Sequence, residues 1–372
     1  MTRAKRDLTI SNGNNKPGAE NAISAEERRR LIDRIGRLLS GAQSFWVFCH
    51  ENPDGDTLGC CLSVYGALTD AGKDVQVFTP DPIPRMYQFL PYARQFRYVK
   101  RLPDELPDIV LICDNAAFDR MGHLTDELDR LGLGPDASRR SAGTTTVNID
   151  HHIGNAGYCD VNLIDPSCGS CGELFYYFFR QLELPISRDM AINLYAAILT
   201  DTGRFSYGNT NSGTFAIASE LISIGVDPFD VVNRVYNTRT PDQIRLMGLV
   251  LGTLQEVAPL GYFHCYVTQE MLRETNTVMT DTEGVMDLMK TVGDYEVCFF
   301  FKEQEDGVTR VSVRSNGRFN VNHLARRFSG GGHPAASGFS LETDIRSAPV
   351  VVEQAMREMR AAEAEGKEAP RK

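Results

Sequence analysis

The stretch SFWVFCHENPDGDTLG (residues 44–59) passes from a β-rich apolar run, through a turn holding Pro53 and Gly55, into the helix-like TLGCCLSVYGALTDAG (57–72). A short apolar run that ends in a turn and gives way to a helical pattern reads as one strand–helix unit. The turn also carries His50, Glu51, Asp54 and Asp56. Like charges held so close repel, and either solvent or bound divalent cations must offset them. Which of the two applies depends on the rest of the chain.

The same unit recurs. DVQVFTP (74–80), DIVLICD (108–114) and TTTVNID (144–150) read as strands, and residues 24–41, 171–183, 188–203 and 212–225 read as helices. Alternation of this kind implies an α/β fold with a mostly parallel sheet covered by helices on both faces. A second region differs: YFHCYVT (262–268), YEVCFFFKE (295–303) and VTRVSVRS (308–315) read as strands, followed by the helix-like NVNHLARRFSG (320–330) and the glycine loop GGGHPAASG (330–338). This predicts a polar, disordered leader over 1–24, a first domain over 25–235, and a linker with a connecting helix over 236–255. A smaller α/β domain follows over 256–345, then a helix-forming, frayed, charged tail over 346–372.

Two domains suit 372 residues. The content of 42% hydrophobic and 24% charged residues is that of a globular protein, and no apolar run reaches the roughly 18 residues a membrane span needs. Nine cysteines, an odd number, argue against a disulfide framework and for a cytoplasmic protein. Cys168 and Cys171 form a lone C-x-x-C with no second half to complete a zinc site, and read as small buried thiols. A net charge of −10 disfavours long duplex nucleic acid, which needs a broad basic surface. Yet between Arg310 and Gly338 there are five arginines and two histidines and no acid, a segment suited to a small anionic substrate.

Three of the strands end in metal-competent residues: His50, Asp54 and Asp56 after the first, Asp114 after DIVLIC, and Asp150, His151 and His152 after TTTVNI. Asp201 follows the apolar run NLYAAILT. Singly, an Asp after a strand is an ordinary turn former. Right-handed crossovers, however, bring all four clusters to one edge of one sheet, where ligands bind in open α/β folds. Several carboxylates and histidines gathered there are reconciled by divalent cations, and mixed His/carboxylate ligation suits Mn²⁺.

These residues carry a resemblance. H-x-x-P-D-G-D (50–56), C-D-N (113–115), D-H-H (150–152) and L-T-D-T-G-R-F (199–205) resemble, in order, the four motifs of the DHH phosphoesterases. VRSNGRFNVNHLARRFSGGGHPAASG (313–338) is similar to their DHHA1 domain, and the two-domain layout to the nanoRNase branch. The resemblance implies two divalent cations, Mn²⁺ first and Mg²⁺ or Co²⁺ as alternatives. His50, Asp54 and Asp114 would hold one; Asp56, Asp114, His151 and Asp201 would hold the other, with Asp114 between them. Asp150 would orient a ligating histidine, and His152 would face substrate. Glu51 matches no role.

Glycines that leave backbone N–H groups free can meet an anion. The resemblance implies that the glycine loop faces the metal site, so Gly331, Gly332, His333 and Arg314 are expected at substrate phosphate, with Arg204, Asn322 and Arg318 as further candidates and Arg326 and Arg327 as solvated helix residues. The implied activity is hydrolysis of short single-stranded RNA and of a small phosphorylated nucleotide, 3′-phosphoadenosine-5′-phosphate (pAp). The alternatives are a cyclic- or linear-dinucleotide phosphodiesterase and a non-catalytic nucleotide-binding module. A homodimer is compatible with all of them.

Overall fold

The computed structural model describes residues 22–364 except 137, 139, 140, 142 and 294, with the backbone alone at 333 and 362–364. Most of the expected leader and the last residues of the expected tail thus lie outside the described residues. The chain divides into two units between Thr238 and Arg239.

In the first unit, α1 (Ala25–Gly41) begins at Ser24, whose side chain accepts from the Glu27 amide. It is followed by β1 (Ser44–Phe48), α2 (Gly55–Asp70), β2 (Asp74–Thr79), β3 (Phe96–Tyr98), β4 (Ile109–Cys113) and α3 (Leu124–Arg130). Then come β5 (Thr145–Asp150), β6 (Val161–Ile164), α4 (Cys171–Gln181), α5 (Arg188–Asp201), α6 (Ser212–Ile224) and α7 (Pro228–Tyr236). The six strands form one parallel sheet in the order β3-β2-β1-β4-β5-β6. Phe45 and Val47 pack on one face with residues of α1, α2, α4 and α5, while Trp46 and Phe48 pack on the other with Phe78, Leu124 and Leu128. Burial on both faces explains the unbroken apolar run of β1. From β1 the order runs outward through β2 and β3, then returns to β4 and proceeds the other way. That reversal opens a crevice at the carboxyl ends of β1 and β4, the usual ligand position in such sheets.

The second unit begins with α8 (Pro241–Gly252), then β7 (Gln255–Val257), β8 (Tyr262–Val267), α9 (Gln269–Glu274), α10 (Val285–Met289), β9 (Val297–Glu303) and β10 (Thr309–Ser315). It ends with α11 (Val321–Arg327), β11 (Gly331–His333), β12 (Ala336–Leu341) and α12 (Ala348–Ala364). Its sheet runs β11-β12-β10-β9-β8-β7, with β8 and β9 parallel and the other pairs antiparallel. Three expectations change here. The connecting helix α8 buries Leu246 and Val250 against Phe263, Cys265 and Phe300, and so belongs to this unit's core. The tail helix α12 is no frayed end over its described length: Val352, Ala355, Met356 and Met359, one helical face, pack with Phe299, Val313 and Leu324. The glycine loop is a hairpin, because β11 pairs with β12 from Gly331 to His333. Among the described residues, no helix is long and apolar enough to cross a membrane.

Candidate metal centre

The turn after β1 is shaped by its own acids. Asp54 caps α2, its Oδ1 accepting from the amides of Asp56 (3.0 Å) and Thr57 (3.2 Å). Its other oxygen is left facing His50 Nε2 at 3.8 Å. Thr57 Oγ1 donates to the Cys113 carbonyl at 3.0 Å, which ties the start of α2 to the end of β4. There Asp114 turns the chain with φ of 53°, a left-handed conformation that Asp tolerates better than most residues. Asp56 points both oxygens at the start of α4, accepting from Cys171 N (2.7 Å) and Gly172 N (2.9 Å), where the helix dipole favours negative charge. Asp201 ends α5, and the turn after it holds Gly203, Arg204 and Phe205 all at positive φ. The Asn209 amide ties that turn back to the carbonyls of Asp201 (3.0 Å) and Gly169 (2.7 Å).

Three overlapping groups of ligand atoms result. His50, Asp54 and Asp114 bring theirs within 4.8 Å of one another, as do Asp56, His151 and Asp201, and as do Asp114, His151 and His152 between them. Asp114 reaches both His50 and His151: its Oδ2 lies 3.8 Å from His50 Nε2 and its Oδ1 3.6 Å from His151 Nε2. His151 Nε2 also lies 3.7 Å from Asp56 and 3.6 Å from Asp201. Both histidines are oriented through the other ring nitrogen. His50 Nδ1 donates to the Glu51 carbonyl at 2.7 Å and His151 Nδ1 to the Cys168 carbonyl at 3.3 Å. A carbonyl only accepts, so in the neutral rings Nε2 presents a lone pair to the acids.

The electrostatics fit a cation. Burial first, and neighbouring carboxylates second, push the pKa values of Asp56 and Asp114 well above the usual carboxylate range. Burial likewise raises the pKa of Asp201 and lowers that of His50, which favours its neutral imidazole. Asp114 Oδ1 is buried with no hydrogen-bond partner among the described residues, a costly state for an anionic oxygen. A mixed set of imidazole nitrogens and carboxylate oxygens, with one orphaned oxygen between its halves, is a donor set for divalent metal.

Asp150 holds His152 and not His151: its Oδ1 accepts from His152 Nδ1 at 2.7 Å, and its Oδ2 from the Asn155 amide at 2.7 Å. Burial works to lower the His152 pKa, but the Asp150 hydrogen bond and charge outweigh it and the net shift is upward. Asn155 also donates to Asn148 Oδ1 (2.7 Å), so a small amide network fixes the Asp150–His152 pair. Two residues here escaped sequence reasoning. Asn155 carries no motif. Arg120 lies close enough to act electrostatically on both His50 and His152, and its carbonyl accepts from Glu51 N at 2.6 Å.

The remaining candidates are spread over both units. Arg204 lies over the Tyr236 ring at 4.6 Å. In the second unit, Arg314 is half-buried on β10 and donates to the Val313 carbonyl at 3.0 Å. Asn322 is buried and spends its amide on the Gly332 carbonyl, so it shapes the hairpin rather than presenting a free group. Gly332 has φ of 137°, and a Cβ there would stand 2.5 Å from the Ala336 carbonyl oxygen; Gly331 is open. Arg318 is exposed, and the His333 side chain lies outside the described residues. Arg326 and Arg327 are exposed on α11, as expected, and Arg327 makes a surface ion pair with Glu358 of α12 at 2.6 Å. All nine cysteines, Cys168 and Cys171 included, are free and buried.

Comparison with known proteins agrees with this geometry. Residues 44–198 match the DHH family, N-terminal domain, and residues 262–362 match the DHHA1 domain. A Thermus thermophilus protein named bifunctional oligoribonuclease and PAP phosphatase NrnA is 29% identical over 335 residues, 89% of this chain and 94% of its own. A Bacillus subtilis protein of the same name is 26% identical over 82% of this chain and 91% of its own. The crystal structure of an exopolyphosphatase-related protein from Bacteroides fragilis superposes with a TM-score of 0.81 at 26% identity, covering 89% of this chain and 96% of the other.

Proposed function

Because the chain belongs to the DHH family, carries a DHHA1 domain and is a hydrolase of phosphoester bonds, we propose that it hydrolyses short oligoribonucleotides to mononucleotides and removes a phosphate from pAp. Support comes from the Thermus and Bacillus relatives, which bear both activities in their names over most of their length. The observation that carries the reading is the division of Asp114, one oxygen toward His50 and the other toward His151.

His50, Asp54 and Asp114 would hold one divalent cation, and Asp56, Asp114, His151 and Asp201 a second, with Mn²⁺ suited to the mixed donors. Such a pair supplies the acidity that activates an attacking water and a clamp on the phosphate. The protein's own groups do the rest. Asp56 and Asp54 are fixed by helix starts, so their free lone pairs are aimed before anything binds. His152, held through Nδ1 by Asp150, which favours its protonated form, has Nε2 left to donate to a phosphate oxygen or to the ribose oxygen as the P–O bond breaks. Arg120 adds a positive charge on the same side.

The test is turnover of pAp, di- to penta-ribonucleotides, cyclic dinucleotides and pyrophosphate with Mn²⁺ and with Mg²⁺. Mononucleotide release from the short RNAs and AMP release from pAp are expected. Activity confined to cyclic dinucleotides would replace this reading with a dinucleotide phosphodiesterase. Inactivity on the whole panel would leave only a nucleotide-binding module.

A further inference from the structure

The sheet of the second unit is covered unevenly. One face is closed along its length by α11 and α12, which pack on Val311, Val313, Phe299 and Phe301. On the other face, residues of α8, α9 and α10 cover Phe263, Cys265, Cys298 and Phe300 of β8 and β9. Along β10 that second face carries Arg310, Ser312 and Arg314, which alternate with the buried valines. Strand register sets Lys302 of β9 directly opposite Arg310, and places Ser340, Gly338 and Ala336 of β12 beside Arg310, Ser312 and Arg314. The result is a strip of sheet with small side chains, three cations and no acid.

The pairing of Lys302 with Arg310 is unfavourable by itself, since like charges opposite one another across strands destabilise a sheet. Lys302 is half-buried as well, its ammonium 5.2 Å from the centre of the Phe300 ring. Neither Lys302 nor Arg310 has a carboxylate partner among the described residues, and the charges that act on Lys302 are those of Arg314 and Arg310. A polar strip that keeps two facing cations unneutralised is organised for an anion. Arg310 and Arg314 stand four residues apart on one strand, about 13 Å at roughly 3.3 Å per residue. One phosphate cannot span that gap; a chain of nucleotides can.

We propose that Lys302 and Arg310 form a phosphate subsite for the body of an oligoribonucleotide, separate from the phosphate taken by Arg314; this rests on the function proposed above and assigns its preference for a chain over a single nucleotide. Arg310 supplies a planar fork to a phosphodiester oxygen, and Lys302 a point charge raised on the Phe300 ring. The subsite has no role for a ligand as short as pAp.

The test uses the full-length protein without metal, so that nothing is hydrolysed, and a 5′-fluorescein-labelled pentaadenylate read by anisotropy, with pAp as competitor. Lys302→Met keeps the apolar stem and Arg310→Gln a polar side chain, and each is made singly and together. The double variant is expected to bind pentaadenylate at least tenfold more weakly. Its salt dependence should be shallower by about 1.4 in log–log slope, two contacts at roughly 0.7 each for single strands. Affinity for pAp should stay within twofold, and the melting temperature should hold or rise as the opposed charges are removed. Unchanged pentaadenylate affinity, an equal loss for pAp, or wild-type protein that does not bind pentaadenylate would each overturn the subsite. The exposed Arg310→Gln alone decides the matter should Lys302→Met unfold. Failure of the function itself is read separately, as inactivity of the metal-loaded wild type on the substrate panel.

Discussion

At the scale of single residues, the two adjacent histidines are set apart by what holds their Nδ1 atoms. His151 donates from Nδ1 to a backbone carbonyl and turns Nε2 toward three carboxylates; His152 donates from Nδ1 to Asp150. Loss of the first ring should therefore remove a metal ligand, and loss of the second a proton donor. His151→Ala is expected to lower bound Mn²⁺ from two equivalents toward one. His152→Ala should keep both ions and lose about 10²–10⁴ in kcat with little change in KM. Metal analysis beside steady-state kinetics on pAp separates them, and the opposite pattern would mean that the two roles are exchanged. Asp150→Asn should follow His152→Ala, because an amide cannot supply the charge that raises the His152 pKa.

At the scale of elements, the fold was legible wherever an element was long enough to show its burial. The strands β1, β2, β4 and β5 appear as apolar runs because both faces are covered, and α1, α2, α4, α5 and α6 as helix-forming stretches between turn residues. β3 and β6 have three and four residues, too few for a period to show. α12 hid its apolar stripe among glutamates and arginines, which a solvated tail would also carry. The metal ligands were legible because strand ends are where such sheets place them. The partner of Asp150 was not, since consecutive residues in a turn follow no periodic direction. Glycines show the same limit: Gly55 reads as a turn residue, but Gly59 lies inside α2, where glycine is normally a cost. Its place follows from packing, because a Cβ there would come within 2.3 Å of the Asn193 carbonyl oxygen on α5. Gly59→Ala should therefore force α2 off α5, costing about 1–3 kcal/mol. It should also weaken Mn²⁺ binding, because Asp54 and Asp56 sit on the first turn of the same helix. Gly41→Ala, with nothing within 4 Å of the added carbon, is the control and should leave melting and metal content unchanged. If the two variants melt alike, the close approach of α2 and α5 is not what selects glycine.

At the scale of the whole molecule, the centre couples the stability of its unit to pH and to metal. Asp56, Asp114 and Asp201 all have folded-state pKa values above the unfolded value near 3.9, with burial as the first cause. Without metal, the folded chain therefore keeps protons that the unfolded chain would release. Stability then falls as pH rises from about 4 toward the folded values. His50 works in the other sense, since burial lowers its pKa and its contribution is lost as pH falls below about 6.5. Three carboxylates oppose one imidazole in that window. Above it, His152, raised by Asp150, loses its contribution as pH climbs and so adds to the decline. In EDTA the melting temperature should fall from pH 5 to pH 8. Mn²⁺ should reverse that trend, because it binds the deprotonated acids and competes with protons for them. Asp114→Asn isolates the effect at its centre. It removes the most crowded charge, so in EDTA at pH 8 it should melt above wild type, by about 2–4 °C for each kcal/mol of relieved repulsion. At pH 4.5, where the raised pKa favours the neutral wild-type carboxyl, the gap between the two should narrow. The variant should also lose the gain from Mn²⁺ and all turnover, because among the described residues no other side chain faces both His50 and His151 through separate oxygens. Melting curves at the two pH values, with EDTA and with Mn²⁺, measure all of this at once. A variant less stable than wild type at pH 8 in EDTA would show that Asp114 is held by the fold for its own sake, and that the centre is not a cluster of charges waiting for a cation.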